Sequence, residues 1–480
     1  MTEATPINQA KPRLWLLSSA SQAMLSQIVR RTVRFFFLFM AARKLGPETF
    51  GTLALLLAIL ETLSLMTGEG LTDYVAREAA KSPVITRSLF ERVSIIRFML
   101  AGLLAPLAIA VLRALHYPVE VQASAGLLLL ILFVRGPIAA AQGLFRAANR
   151  MSFLVWLEVV QGLVLLACGS YVLTHAATLR SVILLELSAA TAAAILATLL
   201  ARKFWRPLED SPVTWRTIWR AAATFNAFPL ITNIYDRIDI VLLSVIAGNA
   251  AAGLYALPYR VLATLQIIPF GLMAAVLPVL AARAQSSDDR QICLKMATLL
   301  GVLSMFPALI LTLLAKPLVH LVLGDSYAPS ANILRLLAWA AIPMFINHGL
   351  NTFLLARDRE RIFIWTSSVC AVANIVLNVV LIPRYSYYAA AAVTIATELL
   401  LLLQNLAIIR RKFAFVALPN SLWMPAAALL LIVAVAQSFD GRFSPFIVTV
   451  TSCCVFIVAL YFNGALKEIA DSVSVNATNA

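Results

Sequence analysis

The sequence predicts an all-α polytopic membrane protein of about fourteen transmembrane helices, in two pseudo-symmetric six-helix lobes with an added C-terminal helix pair. Three observations predict it. Of 480 residues, 61% are hydrophobic and 13% charged, with a mean hydropathy of +0.88, whereas a soluble domain is about half apolar and about a quarter charged. Apolar runs of spanning length recur from one end of the chain to the other. Basic residues gather at alternate connections between those runs.

A spanning helix needs about 20 mostly apolar residues. On that measure the spans run over 15–42, 50–72, 91–115, 122–143, 152–174, 179–201, 222–247, 254–281, 294–323, 331–355, 362–383, 387–409, 421–438 and 445–464. The connections are short and leave no room for a soluble domain. The first run lacks a small-residue cleavage site behind a short apolar core, so it reads as a retained helix rather than a removed signal peptide.

Orientation follows from charge. With the N-terminus inside, the inner connections and the span ends beside them carry 23 Lys and Arg, and the outer ones six, Arg43, Lys44, Arg113, Arg180, Arg384 and Arg442. Cytoplasmic loops are enriched in Lys and Arg, so both termini are expected on the cytoplasmic side. The same bias accounts for the net charge of +15. No basic stripe interleaved with aromatics points to nucleic acid.

An internal repeat sets the domains. Gly46-Pro-Glu-Thr-Phe-Gly51 enters the second span and Gly248-Asn-Ala-Ala-Ala-Gly253 enters the eighth, 202 residues later. At the same offset Ala54 matches Ala256, Thr62-Leu63 match Thr264-Leu265, and Ala79-Ala80-Lys81 match Ala281-Ala282-Arg283. The repeat covers six spans, an even number, so both copies cross in the same sense, as parallel repeats of transporters do. The expected organisation is a first lobe over 1–205, a linker over 206–220, a second lobe over 221–412, the extra pair over 413–466 and a cytoplasmic tail over 467–480.

These residues carry a resemblance. The charged first span is followed by ARKLGPETFGTLALLLAI, the acidic Glu61 and GLTDYVAREAAK; mid-chain stands IYDRIDIVLLSVIAGNAAAGLYALPYRV. Together they resemble the Wzx-type polysaccharide and O-antigen flippases of the multidrug/oligosaccharidyl-lipid/polysaccharide (MOP) exporter superfamily, with its MATE-like fold. The resemblance implies a carrier in the bacterial inner membrane that flips an undecaprenyl-diphosphate-linked oligosaccharide by alternating access. It also implies counter-flow of H⁺ or Na⁺, contact with membrane lipid, and a polysaccharide polymerase or chain-length regulator as protein partner. A peptidoglycan lipid-precursor flippase and a multidrug or cation antiporter on the same fold are the alternatives.

The charged residues inside the spans are the candidate site. An arginine at mid-bilayer is unfavourable by roughly 2.5–3.5 kcal/mol on insertion scales, yet Arg30, Arg31 and Arg34 sit near the middle of the first span. Arg30 and Arg34 are four apart and share a helix face, with Arg31 to one side. Each guanidinium offers phosphate oxygens a planar fork of donors, so these residues, with Arg97 and Arg135, are candidates for a diphosphate. The alternative is pairing with Glu61, Glu158 or Glu186. The surplus of positive charge favours an anionic substrate over an organic cation.

In the second lobe Asp236, Arg237 and Asp239 fall within one helical turn. A carboxylate at membrane depth is a proton or cation site by default; an internal clamp with Arg237 or Arg260 is the competing reading, and Glu398 is a further candidate. Glu69, Asp73 and Arg77, at the end of the second span, read as a cytoplasmic gate or ion-pair patch. The five cysteines and four histidines have no metal-ligand spacing, so no metal and no cofactor are expected. No phosphate-binding loop, large outer loop or outward-facing carboxylate pair is present, which argues against ATP coupling and against an enzyme.

Overall fold

The computed structural model describes residues 12–205, 214–282, 289–357, 360–415, 418, 420–439 and 442–462. Of the expected linker over 206–220, residues 206–213 lie outside the described residues, as does the expected tail over 467–480. Every regular element among those described is a helix. The chain begins with α1 (Pro12–Met66), α2 (Leu71–Lys81), α3 (Thr86–Ala114), α4 (Val119–Leu129) and α5 (Ile131–Ala147). It continues with α6 (Met151–Leu163), α7 (Gly169–His175), α8 (Leu179–Ala201) and α9 (Trp215–Ala247). Then come α10 (Asn249–Leu265), α11 (Ile267–Ala282), α12 (Asp289–Leu323), α13 (Ala328–Ala338) and α14 (Ala341–Leu355). Last are α15 (Glu360–Phe413), α16 (Trp423–Ser438) and α17 (Pro445–Phe462).

Nine helices among the described residues are long and apolar enough to cross a membrane, or ten if Asp325–Ala338 and Ala341–Leu355, bent by 43°, form one span. The fourteen expected are not reached on this measure, for physical reasons. Met24–Lys81 and Arg361–Phe413 each count once, although the backbone breaks inside them at Gly46 and at Ser386. The helix Trp423–Ser438 has only 16 residues.

The chain packs as two units, Met1–Lys44 with Ile59–Leu230, and Leu45–Ala58 with Ile231–Ala480. In the first unit α5 packs against α2, α3 and α8, and α6 against α8. Leu89, Val93, Ile96, Leu144 and Phe145 form its core. The buried stripe of α8 is mostly alanine (Ala189, Ala190, Ala193, Ala194, Ala197), and small side chains let membrane helices approach closely. Glu186 lies on that same inward stripe. The opposite relation holds outside: Phe98, Leu103, Leu107 and Val111 of α3 are exposed. Such a row would be an aggregation liability in water and is the natural surface toward hydrocarbon.

In the second unit α12 packs against α13, α14, α16 and α17, and α14 against α15. Met305, Leu309, Ile346, Leu350, Phe353 and Phe456 are among its core residues. The two copies of the sequence repeat adopt one backbone conformation. Gly46 has φ 76°, ψ 167° and Gly248 has φ 89°, ψ 165°, a region reserved for glycine. The helical segment after each glycine then meets the other copy inside the second unit. A Cβ on Gly51 would fall 1.7 Å from the Asn249 carbonyl oxygen, and one on Gly253 would fall 2.0 Å from that of Pro47. Residues 47 and 249, like 51 and 253, are separated by the repeat offset, so the two contacts are reciprocal.

Candidate functional site

Among the described residues, each unit holds buried polar side chains that meet across helices. In the first, α1 supplies Arg30, Arg31 and Arg34, α3 supplies Arg97, and α5 supplies Arg135. Arg30 is exposed and donates to Gln27 on its own helix; Arg31 is half-buried. Arg34 turns inward, with Nη2 at 3.6 Å from Oε1 of the buried Glu186. Arg97 is 1% exposed, among the largest fully buried side chains of the protein. Arg135 donates to Ser64 Oγ. It stands two residues before Pro137, whose missing N–H weakens the helix there.

The charges around these arginines are unevenly matched. Arg135 is within electrostatic reach of Arg34, Glu61, Glu69 and Glu186, Arg97 of Glu69 and Arg135, and Glu158 of Arg30 and Arg34. The pairing with acidic residues that the sequence left open is therefore present for Arg34. It leaves donors over: Nε of Arg34, and Nε and Nη1 of Arg97, are buried without a hydrogen-bond acceptor, while Nη2 of Arg34 is the atom facing Glu186. A buried charged donor without an acceptor is strongly unfavourable, so this cluster suits a ligand rich in anionic oxygens.

The residues read as a gate or ion-pair patch each have charged neighbours. Asp73 accepts from Arg146 at 2.7 Å, Arg77 lies 3.9 Å from Glu78, and Glu69 instead faces Arg97 and Arg135.

In the second unit the cluster is built around Asp239, which is 2% exposed. Its Oδ1 accepts from Asn378 Nδ2 at 2.9 Å; its Oδ2 accepts from Tyr255 Oη at 2.8 Å and Thr394 Oγ1 at 3.2 Å. Asn378 Nδ2 also donates to Asn374 Oδ1 at 2.9 Å. The break at Ser386 folds the two arms of α15 together, so that Asn374 and Asn378 from one arm and Thr394 from the other meet Asp239 of α9. All partners of this carboxylate are neutral, and Oδ1 of Asn378 is buried without a donor. A buried carboxylate beside hydroxyl and amide oxygens suits a hard monovalent cation or a proton. Asp236, Arg237 and Arg260 have polar or electrostatic partners of their own.

Tyr255, Asn374, Asn378, Thr394 and Ser64 escaped the reading of the sequence. They are neutral, and Tyr255, Asn378, Thr394 and Ser64 reach their charged partners across 16 to 155 residues, so no local spacing marks them.

A family model described as "Polysaccharide biosynthesis protein" matches residues 16–284, and one described as "MatE" matches residues 229–380. Among solved structures, the lipid II flippase MurJ in an inward closed conformation aligns with a TM-score of 0.68 at 13% identity, over 92% of this chain and 98% of that one. An inward-facing multidrug resistance MATE family transporter of the MOP superfamily aligns at 0.67 and 11%, over 82% and 98%. A MOP superfamily transporter from Pyrococcus furiosus, described as having a binding pocket of reverse polarity, aligns at 0.60 and 11%, over 82% and 95%. No curated protein sequence matches the chain. Identities this low carry the fold alone, which is that of MATE transporters and MurJ; the matched families and folds are those of membrane transporters.

Proposed function

We infer the function from one premise: this chain belongs to the polysaccharide biosynthesis protein family. As a multi-pass transporter of the MOP type, it is proposed to flip an undecaprenyl-diphosphate-linked oligosaccharide across the bacterial inner membrane, by alternating access. The observation that carries the reading is the set of unmatched buried donors on Arg34 and Arg97 beside Arg135. Diphosphate oxygens accept from planar guanidinium forks in pairs. A site for organic cations would need the opposite balance of charge.

Coupling is assigned to Asp239. A carboxylate held by neutral donors in the second unit takes up Na⁺ or H⁺, and its occupancy biases the conformational cycle. Asp239 replaces Asp236 as the leading member of the acidic pair, since its partners converge on one point. The basic bias of alternate connections supports cytoplasmic termini.

Peptidoglycan lipid precursor as substrate is the second reading. It is favoured by the alignment with the lipid II flippase over 92% of the chain, and it uses the same diphosphate chemistry. One experiment separates the readings. In a deletion strain, the lipid-linked intermediate that accumulates at the cytoplasmic leaflet is isolated and its glycan identified. An oligosaccharide repeat unit supports the first reading, a peptidoglycan precursor the second, and no accumulated lipid-linked glycan overturns both.

A further inference from the structure

A second buried carboxyl lies in the second unit, apart from the Asp239 network. Glu398 is on the second arm of α15, four residues beyond Thr394, and is 5% exposed. Its oxygens are held by neutral donors. Tyr235 Oη donates to Oε1 at 3.0 Å, and Asn347 Nδ2 donates to Oε2 at 3.1 Å and to the Glu398 carbonyl at 3.0 Å. Behind Asn347, Asn405 Nδ2 donates to Oδ1 of Asn347 at 3.3 Å and of Asn351 at 3.1 Å.

The surroundings do not neutralise a negative charge here. The titratable groups that face Glu398 are Tyr235 and Asp236 on α9, Tyr259 on α10 and Cys370 on the first arm of α15. Arg237 is felt by Tyr259, and His348 is the residue after Asn347 on α14. Among the described residues, the only charge acting directly on Glu398 is Asp236, of the same sign. A carboxylate removed from water without a counter-ion is disfavoured by several kcal/mol, and a proton removes that charge.

The hydrogen bonds around Glu398 close in both protonation states. Tyr235 has one hydroxyl proton and two acceptors in reach, Glu398 Oε1 at 3.0 Å and Thr397 Oγ1 at 3.2 Å. With Glu398 ionised, Tyr235 donates to Oε1. With Glu398 protonated, its own O–H donates to Tyr235 Oη, and Tyr235 turns its proton to Thr397 Oγ1. Thr397 in turn donates to the carbonyl of Val393 at 2.9 Å or of Thr394 at 3.1 Å. Only hydroxyl protons rotate, and Asn347 keeps its bond to Oε2 throughout. A glutamate with a purely structural role needs one fixed partner set; this one has two complete sets.

We propose that Glu398 is a proton-binding site, with Tyr235 as the hydroxyl switch that serves both its charged and its neutral form. It is separate from Asp239 but joined to it through one turn of α15. Thr397, which receives the Tyr235 proton, follows by three residues Thr394, whose hydroxyl bonds Asp239. The step is simple protonation: the carboxylate gains H⁺ from the aqueous phase on one side and returns it to water later in the cycle.

The test is pH-difference infrared spectroscopy of the purified full chain in lipid, without substrate, so that it stands apart from the identity of the glycan. The wild type is expected to show a protonated-carboxyl band that titrates. Glu398→Gln, nearly isosteric and able to keep both hydrogen bonds, abolishes that band, while Asp239→Asn leaves it. Tyr235→Phe keeps the carboxyl and shifts the band, because its hydroxyl partner is gone. A titrating band unchanged in Glu398→Gln overturns the proposal. Should Glu398→Gln not accumulate in the membrane, a band unmoved by Tyr235→Phe overturns it equally.

Discussion

Gly51 and Gly253 lie back to back: a Cβ on Gly51 would sit 2.8 Å from the Gly253 nitrogen, and one on Gly253 would sit 3.0 Å from the Gly51 nitrogen. They are equivalent members of the repeat, and each spares the backbone of the other. Here two backbones touch with no flexible side chain between them to yield. Overpacking is unfavourable by about 1–3 kcal/mol where atoms can relax, and backbone contacts relax least. Gly51→Ala and Gly253→Ala are each expected to destabilise by at least about 3 kcal/mol, read as loss of folded protein in thermal denaturation in detergent. Gly102, with nothing within 4 Å of its Cβ position, is the control, and Gly102→Ala is expected to be neutral or slightly stabilising. Equal behaviour of all three variants would remove the contact as a determinant of the fold.

That contact also marks what could be read in advance. The pair Gly46 and Gly248, at the same offset of 202, is visible in the sequence because glycine at a helix entrance has a local cause, a φ that other residues avoid. The helical character and the inner arginines were legible for a similar reason, since hydropathy and membrane charge are properties of single residues. The surroundings of Asp239 were not. Tyr255, Asn378 and Thr394 are ordinary polar residues in apolar runs, and only the packing of α10 and the return of α15 at Ser386 bring them to one carboxylate. Likewise Glu69 stands four residues before Asp73, yet Glu69 acts electrostatically on Arg97 and Arg135 while Asp73 pairs with Arg146.

Arg34 and Glu186 form a partly buried ion pair, and removing one member leaves the other uncompensated. For a fully buried pair the loss is about 3–5 kcal/mol; Arg34 is 19% exposed, so about 2–3 kcal/mol is expected for Glu186→Gln. The double variant Arg34→Gln with Glu186→Gln is expected to recover more than half of that stability, because both charges are gone. A double-mutant cycle in thermal denaturation checks the coupling. Additive losses would show that the pair contributes nothing.

Arg97 separates substrate binding from structure. Its unmatched buried donors are unfavourable for the fold, so Arg97→Met is expected to keep or raise the melting temperature. The same change removes a fork of donors from the proposed diphosphate site and is expected to lower glycan export at least tenfold. Melting in detergent and surface glycan in a complemented deletion strain are measured on the same variant. Full export by a well-accumulated Arg97→Met protein would take Arg97 out of the substrate site.

Asp239 has the geometry of a cation site, and linkage gives a direct readout. A ligand that binds only the folded state stabilises it by about 2.7 kcal/mol at one hundred times its Kd. Raising Na⁺ at constant ionic strength is therefore expected to raise the melting temperature of the wild type. In Asp239→Asn the carboxylate charge is lost and the Na⁺-dependent rise is expected to vanish. Tyr255→Phe removes one hydroxyl but leaves Asn378, Thr394 and the carboxylate, so the rise should persist and be shifted to higher Na⁺. Asp236→Asn, one turn away and outside the donor set, should respond like the wild type. A rise that survives Asp239→Asn but disappears in Asp236→Asn would move the coupling site back one turn along α9, and no Na⁺ response in the wild type would leave H⁺ as the ion to test at Asp239.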